Sequence, residues 1–171
     1  MLLTESYRAL LEQEHKTKHW GTTAVTRVSR ILREVDKTGE TTILDYGSGH
    51  GAFKQYIDKN FPMYDVIEYE PGRPECSHAP QPCGYVICTD VLEHVEPECI
   101  EAVLDDLKRV VLKHGLFTIS TEPAHKILKD GRNAHLIIEP ASWWLEKLSQ
   151  RFTIVFESHN DKGLLVLVTK K

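Results

Sequence analysis

The stretch that most constrains this chain is a short β-type run that ends in clustered glycines and passes directly into a helix. Thr41-Thr42-Ile43-Leu44-Asp45-Tyr46 is rich in β-branched and apolar residues, Gly47-Ser48-Gly49-His50-Gly51 follows, and residues 52–60 return to helical spacing. A strand that runs into a helix reaches its next strand by a crossover, so the two lie parallel. Parallel strands need helices on both faces, and the expected fold class is therefore α/β, a mostly parallel sheet with helices on both faces.

The rest of the chain fits that frame. Thr4 can cap a helix over 4–15, and Val25, Val28, Ile31, Leu32 and Val35 place a second helix over 24–37, closed by Gly39. Residues 64–70 form a second strand. The segment 73–84 is rich in proline and cysteine and is expected to be irregular. A third strand covers 85–89, and an amphipathic helix covers 97–112 and stops at Gly115. A fourth strand covers 116–121 and a polar loop 122–133. After a helix over 142–150, strands 152–157 and 164–169 make an antiparallel hairpin around Asn160-Asp161-Lys162-Gly163.

Length and composition remove several function classes. With 171 residues, 41% of them hydrophobic and 27% charged, the chain fits one soluble domain, 1–171. No apolar run is long enough to span a bilayer, and the start carries no secretory pattern, so the expected location is the cytoplasm with no membrane partner. A formal charge of -4 argues against a broad nucleic-acid surface. The four cysteines contain no CxxC pair and are expected as free thiols. Cys76, His78 and Cys83 have irregular spacing for zinc, so no metal site is assigned there.

Glycines between strand and helix let backbone approach a ligand closely at the carboxyl end of a sheet. Gly47, Gly49 and Gly51 are placed for that, with Ser48 between them, and Glu70 ends the next strand where a carboxylate can accept both hydroxyls of a ribose. Gly47-x-Gly49-x-x-Ala52 also satisfies the relaxed dinucleotide fingerprint, which leaves a nicotinamide-dependent oxidoreductase open. Asp45, two residues before the first glycine, favours a cationic ligand and repels a pyrophosphate.

Leu44-Asp45-Tyr46-Gly47-Ser48-Gly49-His50-Gly51 resembles motif I of the class I S-adenosylmethionine-dependent methyltransferases. Glu70 resembles the acid ending their second strand, and Cys88-Thr89-Asp90-Val91-Leu92-Glu93-His94-Val95 the segment that closes over the methionine end of the cofactor. His135-Leu136 and Trp143-Trp144 to Phe152 are similar to the last helix and strand of that superfamily, especially its compact members in bacteria and tailed bacteriophages. The resemblance implies a Rossmann-like sheet of strand order 3-2-1-4-5-7-6 and S-adenosylmethionine as cofactor. It implies cofactor contacts from Asp45, Gly47, Ser48, Gly49, Gly51, Glu70, Thr89 and Asp90, with Trp20 on an N-terminal lid (1–38) over a catalytic core (39–171). His50 departs from the small residue usual at its place, and the 70–85 segment is shorter than usual, so its edge strand can be reduced to loop.

The expected reaction is methyl transfer to oxygen or nitrogen of a small-molecule or nucleotide acceptor, with nucleic acid behind these. Such a transfer needs alignment and, for some acceptors, a base. Asp90, Glu93, His94, His125 and His135 are the candidates, with His135, His94 and Asp90 put first. Glu93 and His94 equally suit shaping the pocket or capping a helix. Asp90-x-x-Glu93-His94 with a later His135 is similar to the ligand set of metal-dependent small-RNA 2′-O-methyltransferases, yet the same pentapeptide occurs in metal-free members, so no metal is assigned. Lys126, Lys129 and Arg132 form a basic cluster suited to a phosphate-bearing substrate or to plain solvation. Trp143 and Trp144 read as core. A S-adenosylmethionine-binding module without catalysis is the remaining alternative.

Overall fold

The structure, a computed structural model, describes residues 1–16 and 21–171. In chain order the elements are α1 (Glu5–His15), α2 (Thr23–Thr26), α3 (Val28–Asp36), β1 (Thr42–Tyr46), α4 (Ala52–Asn60), β2 (Asp65–Tyr69), β3 (Cys83–Thr89), α5 (Ile100–Val110), β4 (Val111–Ser120), α6 (Ala141–Ser149), β5 (Phe152–Asn160) and β6 (Gly163–Lys170). Among the described residues one sheet forms, ordered β2-β1-β3-β4-β6-β5. β2, β1, β3 and β4 are mutually parallel, and β6 runs antiparallel to both β4 and β5.

Alternation along the strands sends neighbouring residues to opposite faces, so each strand feeds two cores. Ile43, Tyr85, Ile87 and Leu116 meet α3 and α4 through Ile31, Val35, Phe53 and Ile57. Leu44, Val86, Phe117 and Val166 meet α5 and α6 through Leu104, Leu107, Trp144 and Leu148. Thr4 caps α1, its hydroxyl accepting from Tyr7 N–H at 3.2 Å.

Four expectations change. The order 3-2-1-4-5-7-6 loses its first member: 71–82 holds one 3-10 turn, Pro74–Cys76, because Pro71, Pro74, Pro80 and Pro82 remove donors from a segment too short for helix plus strand. The helix over 24–37 divides at Arg27 (φ -105, ψ 7), where the Thr26 hydroxyl bonds back to Thr23 C=O at 2.8 Å. Gly115 stops no helix. α5 yields at Val111, which already pairs with Cys83, and a Cβ on Gly115 would lie 2.9 Å from Phe117 and Val168. The hairpin strands run farther than expected, to Asn160 and Gly163, whose paired ends leave a two-residue turn. There Asn160 Oδ1 accepts from Lys162 and Gly163 N–H at 2.9 and 3.1 Å.

Candidate active site

The carboxyl ends of β1, β2 and β3 open into a cleft of about 760 Å³, part of it continuous with solvent, roofed by α1 and the residues before it. Its walls are mainly apolar (Leu3, Tyr7, Leu11, Tyr46, Tyr69, Val91, Val95), with His15, Glu70, Asp90, His94 and Glu96 as the carboxyl and imidazole groups of its lining. An apolar slot with a few polar groups is the usual form of a site for a small organic ligand.

Gly47 and Gly49 line this cleft, and both have positive φ, +85° and +56°. A Cβ on Gly47 would lie 2.4 Å from Val91 Cγ2, so glycine is what lets the segment after β3 come down on the turn. Glu70 braces the turn from the side: Oε2 accepts Gly49 N–H at 3.0 Å and Oε1 accepts Gly72 N–H at 2.9 Å. Oε1 is also 3.5 Å from His15 Nε2, so the lone-pair site left for a ligand hydroxyl is on Oε2. Gly51 serves another purpose. It precedes α4 at φ +74°, and a Cβ there would meet Glu68 Oε1 at 2.4 Å, the acid that pairs with Arg73 at 2.8 Å.

Asp45 lies just outside the lining of the cleft, 2% exposed and opposite Glu68 in the sheet. Burial, followed by the nearby Glu68 and Glu70 charges, pushes its carboxyl up to about 8. Ser48 Oγ, also buried, has no hydrogen-bond partner among the described residues.

α1 is tied down at several points. Tyr7 Oη donates to His94 C=O at 2.8 Å, and the buried Glu96 accepts Thr4 N–H at 2.8 Å and the Thr4 hydroxyl at 2.9 Å. At the other end His50 Nε2 donates to His15 C=O at 2.6 Å, so the unusual histidine of the glycine turn fastens α1 and does not line the cleft. The expected basic cluster is spent on the same task. Lys126 sits 3.6 Å from Glu14, Lys129 N–H donates to Glu14, and Arg132 pairs with Asp130 and covers the Tyr7 ring.

Beyond β3 the chain takes a strained step: Asp90 has φ +63°, alone among the described non-glycine residues in the left-handed region. Its side chain accepts the Thr23 hydroxyl at 3.1 Å. Asp90, Glu93 and His135 bring one ligand atom each within 4.8 Å of one another. Glu93 is fully buried. Oε1 accepts Ser120 N–H at 2.6 Å, and Oε2 has no donor other than a proton shared with Asp90. Burial and then Asp90 hold Glu93 well above the usual carboxylate range. For Asp90, burial acts upward but the hydrogen bonds with Glu93 and Thr23 bring it below its ordinary value. The two carboxyls therefore titrate as a pair. His135 donates through Nδ1 to Glu122 C=O, which turns Nε2 into an acceptor. Asn133 fixes that loop, bonding Ala124 N–H and C=O and His135 N–H. Two carboxylates and an imidazole in this arrangement suit a shared proton or a divalent cation. His94 stands edge-on to His135, 4.8 Å between ring centroids, and burial lowers it to about 4, so its ring is neutral.

Asp90 also faces a second, more open groove of about 1120 Å³ between α2/α3 and the β5–β6 hairpin. Of the residues singled out by sequence, Gly47, Gly49, Glu70, Asp90 and His94 line the first cleft. Asp45, Ser48, Gly51 and Thr89 lie outside its lining, and His135 lines neither cavity. Trp20 lies outside the described residues. His125 is exposed. Sequence reasoning missed Tyr7, His15 and Glu96, whose roles depend on contacts more than fifty residues apart. Only Tyr7 carried a signal, as an aromatic on the apolar face of the first helix.

A family model described as a methyltransferase domain matches residues 11–159. No curated protein sequence matches the chain. Among solved structures, 1,6-didemethyltoxoflavin-N1-methyltransferase of Burkholderia thailandensis, with 1,6-didemethyltoxoflavin and S-adenosylhomocysteine bound, superposes with a TM-score of 0.68 at 16% identity, covering 100% of this chain and 92% of that one. The N-methyltransferase NodS of Bradyrhizobium japonicum, in complex with S-adenosylhomocysteine, gives 0.62 at 14% identity over 98% and 99%. DhpI with S-adenosylhomocysteine gives 0.59 at 16% over 96% and 93%. At these identities the superpositions establish the fold, and the family match covers most of the sequence. The chain belongs to the methyltransferase-domain family and is an S-adenosylmethionine-dependent methyltransferase domain with the class I fold.

Proposed function

We propose that the chain moves a methyl group from S-adenosylmethionine to nitrogen or oxygen of a small-molecule acceptor, with residues 1–38 as lid and 39–171 as catalytic core. The observation that carries the reading is Asp90, a carboxyl on a left-handed backbone step that lines both cavities. The roofed cleft suits the cofactor: backbone at Gly47 and Gly49 is open to it, and Glu70 Oε2, which accepts only Gly49 N–H, keeps an acceptor position for a ribose hydroxyl. When bound, the cofactor supplies a sulfonium methyl whose leaving group is a neutral thioether. The chain's part is to align the acceptor's lone pair and receive its proton. Asp90 is the proton acceptor; Glu93 and His135 are positioning residues that hold its orientation and charge. The structural neighbours with bound S-adenosylhomocysteine, one an N1-methyltransferase holding 1,6-didemethyltoxoflavin and another an N-methyltransferase, support a small acceptor. Four free cysteines, three of them buried, fit a reducing compartment.

Calorimetric titration with S-adenosylmethionine, S-adenosylhomocysteine and NAD, and label transfer from the methyl-labelled cofactor into small molecules, test this reading. The first two are expected to bind and NAD not to. Asp90→Asn, which tolerates the left-handed backbone, is expected to lower turnover by about 10²- to 10⁴-fold while the variant still binds cofactor. Activity that survives dialysis against a chelator supports the shared proton. Activity lost there and restored by Mg²⁺ or Mn²⁺ overturns it in favour of a cation at Asp90, Glu93 and His135. Binding of NAD alone overturns the methyltransferase reading.

A further inference from the structure

The second groove has a chemical character that the rest of the molecule does not share. Arg27, Arg30, His159 and Lys162 converge on it from α2/α3 and from the hairpin turn, and Asp90 is the one carboxylate in its lining. This concentration occurs on a chain whose formal charge is -4. Arg30 is engaged, with Nε 3.1 Å from Glu34 and its guanidinium 5.0 Å over the Phe156 ring. Arg27, His159 and Lys162 have no side-chain ion pair or hydrogen bond among the described residues. Cationic groups commonly turn toward available carboxylates, as Lys126 does to Glu14 and Arg132 to Asp130, and here three are left facing one cavity.

Two further features of the groove are those of a built site. Thr118 is 4% exposed, lines the groove, and its hydroxyl has no hydrogen-bond partner among the described residues. An orphaned buried hydroxyl is costly in a folded chain and is explained when a ligand completes it. Phe156, on an edge strand, is 42% exposed with one face stacked by Arg30, leaving an aromatic surface beside the cations.

We propose that this groove is the acceptor site and that the acceptor is a flat small molecule carrying an oxyanion, carboxylate or phosphate. Arg27, Lys162 and His159 hold the oxyanion, Thr118 bonds a polar group deeper in, and Phe156 supports the ring. The nucleophilic atom then lies toward Asp90, on the side of the cofactor cleft. This rests on the reading of Asp90 given above, since that residue is the wall common to both cavities.

NMR titration of the cofactor-free protein with phenyl phosphate, benzoate and benzyl alcohol tests it. Phenyl phosphate or benzoate is expected to shift amides of residues 27, 156, 159 and 162 and not those of 47–49, and benzyl alcohol is expected to leave them unmoved. Which of the two acids binds tells phosphate from carboxylate. The exposed-site double variant Arg27→Gln/Lys162→Gln is expected to weaken the acid's affinity at least about tenfold, as loss of charge-assisted contacts requires, with cofactor affinity unchanged. Equal binding of benzyl alcohol, shifts confined to 47–49 and 70, no binding of either acid, or an unweakened double variant overturns the proposal. Because the titration needs no cofactor, failure of S-adenosylmethionine to bind would tell against the methyltransferase reading alone.

Discussion

Replacing Asp45 with asparagine should make the ligand-free protein more stable, and the size of the effect follows from where the carboxyl sits. It is 2% exposed, no cation is bonded to it among the described residues, and Glu68 and Glu70 are close, so it holds its proton up to about 8 against an ordinary 3.8. A group whose folded value is raised contributes its full stability below the unfolded value. That contribution is lost as pH rises from there to the folded value. Each unit in that window costs the native state about 1.4 kcal/mol, which gives an upper limit of roughly 4 kcal/mol at pH 7. Relaxation around a buried carboxyl reduces such figures, and a gain of about 1 to 3 kcal/mol, or roughly 3 to 9 °C in Tm for a chain this size, is the expected effect of Asp45→Asn at pH 8. At pH 5 the gain should be smaller, because the unfolded chain then gives up less by keeping its own proton. Calorimetric melts of both proteins at pH 5 and 8 read this directly. A melting point for the variant at pH 8 equal to or below that of the wild type, or a gain that does not grow with pH, refutes the argument. In the same samples S-adenosylmethionine should bind both proteins alike at pH 5, where the wild-type carboxyl is neutral, and the variant should fall behind only as pH passes about 8 and the wild-type carboxyl ionises.

Two perturbations probe the cleft's construction. Glu96→Gln removes the charge that holds Thr4 N–H and hydroxyl at 2.8 and 2.9 Å. Amide exchange at residues 4–8 should rise by about tenfold or more with little change in the sheet, and unchanged protection there would show that α1 is held by other contacts. Gly47→Ala puts a methyl 2.4 Å from Val91 Cγ2 at φ +85° and should cost about 2 to 4 kcal/mol in urea unfolding. Adding Val91→Ala should return only the steric part and leave about 1 kcal/mol from the backbone; full recovery would mean that the left-handed conformation carries no strain.

Much of the architecture was legible because it is local. The apolar run before Gly47, the helical spacing of Ile31, Leu32 and Val35, and the alternation in Leu164 to Val168 each state their own element, and order along the chain then leaves few topologies. Glu70 was legible for the same reason: it ends a strand one crossover after the glycine turn, and it does bond Gly49. The boundary at Val111 was not, since the residue completes an amphipathic helix by pattern and joins the sheet only because Cys83 lies opposite. Asp90 could be chosen by motif, but its standing between two cavities depends on where the hairpin and α3 meet. His135 looked like a base because it follows a polar loop. In three dimensions Asn133 and Glu122 hold it beside Asp90 and Glu93, a neighbourhood no spacing along the chain announces.

Charge shows most clearly what a linear reading loses. Lys126, Lys129 and Arg132 lie within seven residues and look like an anion site, whereas Arg27, His159 and Lys162 are scattered over more than a hundred and look like nothing. Folding reverses the two descriptions. The α1 helix brings Glu14 to Lys126 and the Gln13 carbonyl to Lys129 Nζ, and Asp130 and Glu96 take Arg132, so that cluster is spent in fastening the lid. The second group converges on a groove whose lining contains one carboxylate, and that carboxylate is tied to a proton shared with Glu93. A cationic cluster marks a binding surface only after its neighbours have been subtracted. By that criterion the groove beside Phe156, and not the loop after β4, is where this enzyme's acceptor charge is recognised.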